Sequence, residues 1–324
     1  MHQTVWNIPL PAAIPEELTQ AGYPPLLSAV LSTRGIVTAA AARDFLDGAP
    51  AALEDPYRLT DMDKAVERIR LAMTRGETVA VYGDYDVDGI TSSCLLTEYL
   101  RGAGLRTELY IPDRLEEGYG LNTDAIGHLR EIGVSLIITV DCGVTAVEET
   151  RYASSIGVDM IITDHHECQA ELPAAAAVVN PKRPDCPFTG RELAGVGVTF
   201  KLICAMERDP EQVLARYADL VAIGTIADVM PLTGENRQIV KTGLDKLRRD
   251  PRPGLAALIE ETGVRGERLT ASSIGFTLAP RINAAGRLGR VRCAAELMLE
   301  HDRGRTARLA AALCDMNRER QQLE

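Results

Sequence analysis

No two cysteines stand at Cys-x-x-Cys spacing in this 324-residue chain, and the seven present, at positions 94, 142, 168, 186, 204, 293 and 314, are odd in number. A zinc–thiolate site and a disulfide framework are both excluded, which leaves reduced residues, mostly of the core. His165-x-x-Cys168 has half of a zinc spacing and no second half. No window reaches the roughly 18 apolar residues of a membrane span, and Met1-His2-Gln3-Thr4-Val5 lacks the basic stretch and apolar run of a secretion signal. A soluble, cytoplasmic protein with no membrane partner is expected. At 46% hydrophobic and 25% charged residues, fibrous and disordered classes are excluded as well, and the length allows roughly two domains.

A surplus of basic charge is also missing. The net charge of −11 argues against non-specific wrapping of nucleic acid. The deficit is uneven, however: residues 237–324 carry 17 basic and 11 acidic side chains, whereas the first 236 carry 18 and 35. Either a phosphate-bearing ligand is gripped from the C-terminal side, or the arginines are solvated helix faces; charge alone does not choose.

What is present is organised around Val79-Ala-Val-Tyr-Gly-Asp-Tyr-Asp-Val-Asp-Gly-Ile-Thr-Ser92. A buried strand runs into three carboxylates, Asp84, Asp86 and Asp88, followed by a glycine and two hydroxyl residues that open a helix. Three aspartates so close repel one another and resist desolvation, unless the turn is simply solvated or a divalent cation held by hard oxygen ligands lies between them. The segment matches the first half of an EF-hand loop, but the twelfth position, where that loop needs a bidentate Glu, is Leu95.

The rest of the chain reads as βαβ units. A helix from Asp61 to Gly76 leads into the strand at 78–82; a helix follows at 93–101, then strands at 105–111, 135–140 and 158–163 with helices near 123–132 and 145–155. Short, wholly apolar strands alternating with helices imply an α/β fold with an open, mainly parallel sheet covered by helices on both faces. Ligands in such sheets bind at the carboxyl ends of strands. There the sequence places Asp84/Asp86/Asp88, Asp141 with Cys142-Gly143, and Asp164-His165-His166. Any one of these could be a helix N-cap; three together point to one metal-binding edge. Leu220–Ala227 reads as a buried helix that delivers Asp228, either to the same centre or to a core salt bridge. Leu193-Ala-Gly-Val-Gly-Val198 opens a helix whose small residues suit close packing, the preferred reading, or approach to a phosphate. Leu278-Ala-Pro-Arg-Ile-Asn-Ala-Ala-Gly-Arg-Leu-Gly289 reads as a loop whose two arginines and amide suit phosphate oxygens. Leu309, Leu313, Met316 and Leu323 form a helical stripe that reaches Glu324 without a cap, so the helix is expected to run on and the sequence to be a fragment.

Gly83–Ser92, Val140-Asp-Cys-Gly143, Thr163-Asp-His-His166 and Ala227-Asp228 resemble, in order, the four motifs of the DHH phosphoesterases. Arg114-x-x-x-Gly118-Tyr-Gly-Leu121, Leu193-Ala-Gly-Val-Gly197 and Pro280-Arg-Ile-Asn-Ala-Ala-Gly-Arg287 are similar to the RecJ branch, single-strand-specific 5′-to-3′ DNA exonucleases. The resemblance implies that Asp86, Asp88, Asp141, His165 and Asp228 hold two divalent ions. Asp141 would bridge them, with Asp86 on one ion and Asp88, His165 and Asp228 on the other. It further implies that Asp84 supports the cluster, that His166 faces the scissile phosphate, and that Arg281, Asn283, Gly286 and Arg287 bind substrate, the two arginines countering transition-state charge. Oxygen and imidazole donors without thiolate favour Mn2+ or Mg2+ over zinc. Two such ions would activate a bridging water for displacement at phosphorus, releasing 5′-mononucleotides in DNA repair and recombination.

The implied organisation is a helical leader over 1–60, a DHH core over 61–235, a mostly helical basic end over 236–304, and over 305–324 the start of a long interdomain helix. The branch continues past that helix into a second domain and often an OB-fold that complete the DNA groove. Expected partners are single-stranded DNA, a helicase and a single-strand-binding protein, with the chain a monomer. Two other readings stay open: a DHH phosphodiesterase for short oligonucleotides or cyclic dinucleotides, and an inactive scaffold that binds replication partners.

Overall fold

Four of the expected strands form parallel strands of one sheet: β1 (Thr78–Gly83), β2 (Arg106–Tyr110), β3 (Val134–Val140) and β4 (Asp159–Thr163), joined by β5 (Ala177–Val179). The computed structural model describes residues 14–47, 53–113, 117–118, 120–264 and 266–323. The spatial order is β2-β1-β3-β4-β5, with every pair parallel. From β1 the chain first builds β2 on one side and then crosses to β3 on the other. The carboxyl ends of β1 and β3 therefore flank a topological switch point, where open α/β sheets take their ligands.

The chain separates into two compact units, Met1–Ala52 and Leu53–Glu324. In the first, three short helices, α1 (Glu16–Gln20), α2 (Pro25–Thr33) and α3 (Ala39–Asp47), close over Leu18, Leu31 and Ala42. Met1–Ala13 of the expected leader, with Arg114, Tyr119 and Glu324, lie outside the described residues. The second unit holds the sheet and the helices α4 (Met62–Arg75), α5 (Val87–Gly102), α6 (Thr123–Glu131), α7 (Val147–Ser155), α8 (Gly195–Glu207), α9 (Pro210–Ala227), α10 (Gly234–Arg249), α11 (Pro253–Thr262), α12 (Ala271–Ser273), α13 (Ala279–Arg287), α14 (Val291–Leu299) and α15 (Arg303–Leu323).

Strand side chains alternate between two cores, as the period of two demands. Val79, Val81, Leu136, Ile138 and Ile161 pack with α4, α5, α8 and α9; Ala80, Tyr82, Ile137 and Met160 pack with α6 and α7. Both faces are covered, which is why β1 and β3 read as nearly continuous apolar runs, whereas β2 at the edge of the sheet exposes Arg106 and Glu108. All seven cysteines are free. Among the described residues no helix is long and apolar enough to cross a membrane.

Four elements differ from the sequence expectation. α5 begins at Val87 instead of Ser93, because the Asp86 carboxylate caps it by accepting from Gly89 N at 3.0 Å. β5 was not expected; three residues in an alanine-rich stretch carry no legible alternation, and pairing with β4 alone makes them a strand. The stretch 278–289, expected as a loop, is mostly α13, preceded by a π-helical turn over Ile274–Leu278. Pro280 stands just after the junction of the π-helical turn with α13. On α15 the expected Leu313 and Met316 are buried together with Thr306, Ala310, Cys314 and Asn317, while Leu309 is only partly buried and Leu323 is 75% exposed.

Behind the sheet, Arg252 ties α5 to α9. Its Nε lies 3.0 Å from Asp219, which is fully buried on α9, and its Nη1 lies 2.9 Å from Glu98 on α5. Removing one partner of a buried pair strands the other charge. Arg252→Met is therefore expected to lower unfolding free energy by about 3–5 kcal/mol, and Asp219→Asn added to it should restore part of the loss, both measured by urea denaturation.

Candidate metal centre

Each strand end delivers its acid by a specific local device. After β1, Asp84 turns back to accept from Tyr85 N at 2.7 Å, Asp86 caps α5, and Asp88 lies in the first turn of that helix. After β3, Asp141 adopts a left-handed backbone (φ 60°), which a short polar side chain tolerates, while its N–H still donates to Thr163 O. After β4, Asp164 is wholly engaged: it accepts from Val144 N at 2.8 Å, from His165 N at 2.7 Å and from His166 N at 3.1 Å. The backbone is thereby held so that both histidines face the rim. Asp228 caps the C-terminus of α9 and is followed by Val229 in a left-handed conformation (φ 58°), strained for a β-branched residue.

These groups meet. His165 Nε2 lies 3.0 Å from Asp141 Oδ1, 3.6 Å from Asp228 Oδ2 and 3.8 Å from Asp88 Oδ2. Three sets of donor atoms each fall within 4.8 Å of one another and could hold a divalent ion: Asp88 with His165 and Asp228, Asp84 with Asp86 and Asp141, and Asp141 with His165 and His166. The core salt bridge open for Asp228 in the sequence is replaced by this cluster. Glycines bring the elements close enough. A Cβ on Gly195 would sit 2.5 Å from Asp141 Oδ1, and one on Gly224 would sit 2.8 Å from Asp88 Oδ1. The N-terminus of α8 is occupied by a carboxylate: Gly195 N and Val196 N donate to the two oxygens of Asp88 at 2.6 and 2.9 Å. The small residues at 193–198 thus serve close packing.

The electrostatics follow from crowding acids out of water. Burial, reinforced by the Asp86 charge, pushes the Asp84 carboxyl up to about 7 and that of Asp228 up to about 6. The same two causes hold Asp88 well above the carboxylate range, and burial with the Asp88 charge does so for Asp141. Burial, with His166 beside it, lowers His165 to about 4, so its imidazole stays neutral. His166 is different: its Nδ1 lies 2.7 Å from Asp164 Oδ1, and that hydrogen bond raises its pKa.

A cleft of about 260 Å³ opens on this cluster. Asp86, Asp88 and Asp228 line it together with Asn283, Arg287 and Arg320. Two residues expected to bind substrate are not among those that line this cleft. The Arg281 Nη1 donates to Thr277 O at 2.6 Å, one turn back in the π-helical segment, and Arg281 does not line the cleft. Gly286 is buried where a Cβ would approach Tyr85 O to 2.2 Å, so it permits α13 to lie on the acidic turn and makes no wall of the cleft. Sequence reading passed over Arg320, whose position four residues after Met316 on the stripe of α15 is the signal that could have found it. It also gave no separate role to Asp164, whose place before two histidines was visible.

Comparison with known proteins agrees with this geometry. The model of the DHH family, N-terminal domain, matches residues 78–225. The single-stranded-DNA-specific exonuclease RecJ of Bacillus subtilis (strain 168) is 44% identical over 300 residues, covering 92% of this chain and 38% of that protein. A crystal structure of exonuclease RecJ bound to manganese superposes with a TM-score of 0.75 at 38% identity, covering 82% of this chain and 67% of that one. RecJ of Thermus thermophilus in complex with Mn2+ gives a TM-score of 0.80 at 33% identity over 95% of this chain and 44% of that one, and its Mg2+ complex gives 0.70 at 30% identity, covering 95% of this chain and 41% of that one. The chain spans about half the length, or less, of the curated relatives it matches. Strand order, strand-end acids and these relatives lead to one assignment: the chain belongs to the RecJ branch of the DHH family.

Proposed function

We propose that the chain hydrolyses phosphodiester bonds of single-stranded DNA from the 5′ end with the help of two divalent ions, Mn2+ or Mg2+, releasing 5′-mononucleotides. One observation carries the reading: Asp86, Asp88, Asp141, His165 and Asp228 converge at the strand ends. The donor set fits such ions, because Asp141 Oδ1 and Asp228 Oδ2 are sealed from solvent without a hydrogen bond of their own and the buried acids carry raised pKa values that a cation would relieve. Asp88, His165 and Asp228 would hold one ion and Asp84 or Asp86 the other, with Asp141 between them. When bound, the ions supply Lewis acidity and a water acidified into a nucleophile at neutral pH.

The chain's own groups do the rest. His165 offers a neutral imidazole. His166, anchored through Nδ1 to Asp164, presents the other edge of its ring, about half exposed, to an incoming phosphate. Asn283 and Arg287 supply donors to phosphate oxygens from the lining of the cleft. The names of the relatives support single-stranded DNA as substrate. Direction of attack, residues 61–235 as the catalytic core, a role in repair and recombination, cytoplasmic location, a monomeric state and partnership with a helicase and a single-strand-binding protein rest on the family resemblance. The scaffold reading requires lost ligands, and all five are together.

Asp141→Ala is expected to cut turnover of a 5′-labelled single strand by about 10³-fold or more, equivalent to about 4 kcal/mol of barrier, with the circular dichroism spectrum unchanged. Full-rate hydrolysis by that variant would overturn the assignment. A substrate series from dinucleotide to long strand should show turnover retained on long strands, where a short-oligomer enzyme would lose it. The raised pKa values of Asp84 and Asp228 mean that, without metal, the folded chain binds more protons than the unfolded one between about pH 4 and 7. Metal-free stability from this source is greatest at the acid end of that window and falls as pH rises through it. Mn2+ should consequently raise the melting temperature more at pH 8 than at pH 5, and at 100 times its Kd should add about 2.7 kcal/mol, read by calorimetry.

A further inference from the structure

The buried face of α15 comprises Thr306, Ala310, Leu313, Cys314, Met316 and Asn317, which recur at spacings of three and four residues. The next position on that face, three residues on, is Arg320. A stripe that packs the helix onto the body of the unit therefore ends in a guanidinium, and it ends at the cleft: Arg320 lines it together with Asn283, Arg287, Asp86, Asp88 and Asp228. The side chain is half-buried and directed, since its Nη2 donates at 3.3 Å to Oδ1 of Asn317, itself only 4% exposed. Arg281, the other arginine expected to reach a phosphate, spends its Nη1 on Thr277 O.

We infer that Arg320 is a substrate-binding residue, its guanidinium contacting a phosphate oxygen of the single strand that lies in the cleft. This rests on the hydrolase reading above and adds a third element, α15, to a site otherwise built from strand ends and α13. The chemistry is that of a planar fork meeting an anionic oxygen, which a lysine satisfies as a point charge and an amide does not. A guanidinium that only offsets the carboxylates of the cleft would act without any nucleic acid present, so the two roles separate in salt dependence. Each phosphate contact on a single strand contributes about 0.7 to the slope of log affinity against log salt concentration.

The test compares the full chain with Arg320→Gln and Arg320→Lys on a 5′-phosphorylated oligo(dT) in Mn2+, over a series of salt concentrations. Arg320→Gln should raise KM about tenfold, as the loss of one charge-assisted contact would, with kcat changed far less. Its slope of log(kcat/KM) against log salt should be shallower by about 0.7, whereas Arg320→Lys keeps the parent slope and part of the affinity. Melting temperature and Mn2+ affinity should match the parent in both variants. An unchanged slope in Arg320→Gln, or a loss that tracks melting temperature or Mn2+ affinity, overturns the inference while the hydrolase reading stands. If the unaltered chain degrades no single strand, the hydrolase reading fails first and this one with it.

Discussion

The structure depends on keeping several carboxylates together where water cannot screen them. Asp84, Asp88 and Asp141 are each at most 5% exposed, and Asp86 and Asp228 lie beside them. In a medium of low dielectric that arrangement is unfavourable unless dipoles and cations share the charge. The fold supplies the dipoles: two N–H groups of α8 hold Asp88, three N–H groups around the DHH turn hold Asp164, and the remaining charge is left for an ion. Carboxyl groups protonated near neutral pH in the absence of a cation are the trace of this unfinished balance.

Close approach is the second requirement, and it explains where side chains are missing. Helix α8 reaches Asp141, and α9 reaches Asp88, only because positions 195 and 224 have no Cβ. The same holds for α13 above Tyr85, through Gly286. Gly286 costs helix propensity, on the order of 1 kcal/mol against alanine, yet the helix forms because its apolar face, Ile282 and Ala285 among others, is buried. Packing thus overrides the local preference that suggested a loop.

The cleft is lined by groups of both charge signs because they come from chain segments with opposite charge balance. The acids belong to residues before 236, and the arginines belong to those after it. A negatively charged chain can therefore present cationic groups to an anionic polymer without a basic overall surface.

Much of this was legible in the linear order of residues. Apolar strands ending in Asp84–Asp88, Asp141 and Asp164–His166 required a parallel sheet with its acids along one edge, since strand direction carries each motif to the same side. Sequence also sufficed to exclude thiolate metal sites, because cysteines at the wrong spacing cannot meet that geometry. What it could not decide were contacts between elements far apart in the chain. The three-residue β5 exists only through β4; the start of α5 depends on which way the Asp86 carboxylate turns; and whether Arg281 or Arg320 joins the acids in the cleft depends on how α13 and α15 pack. Alternation and strand order are local properties written into neighbouring residues, whereas the aim of a side chain across a cleft is set by the helix rotation that best buries its apolar face.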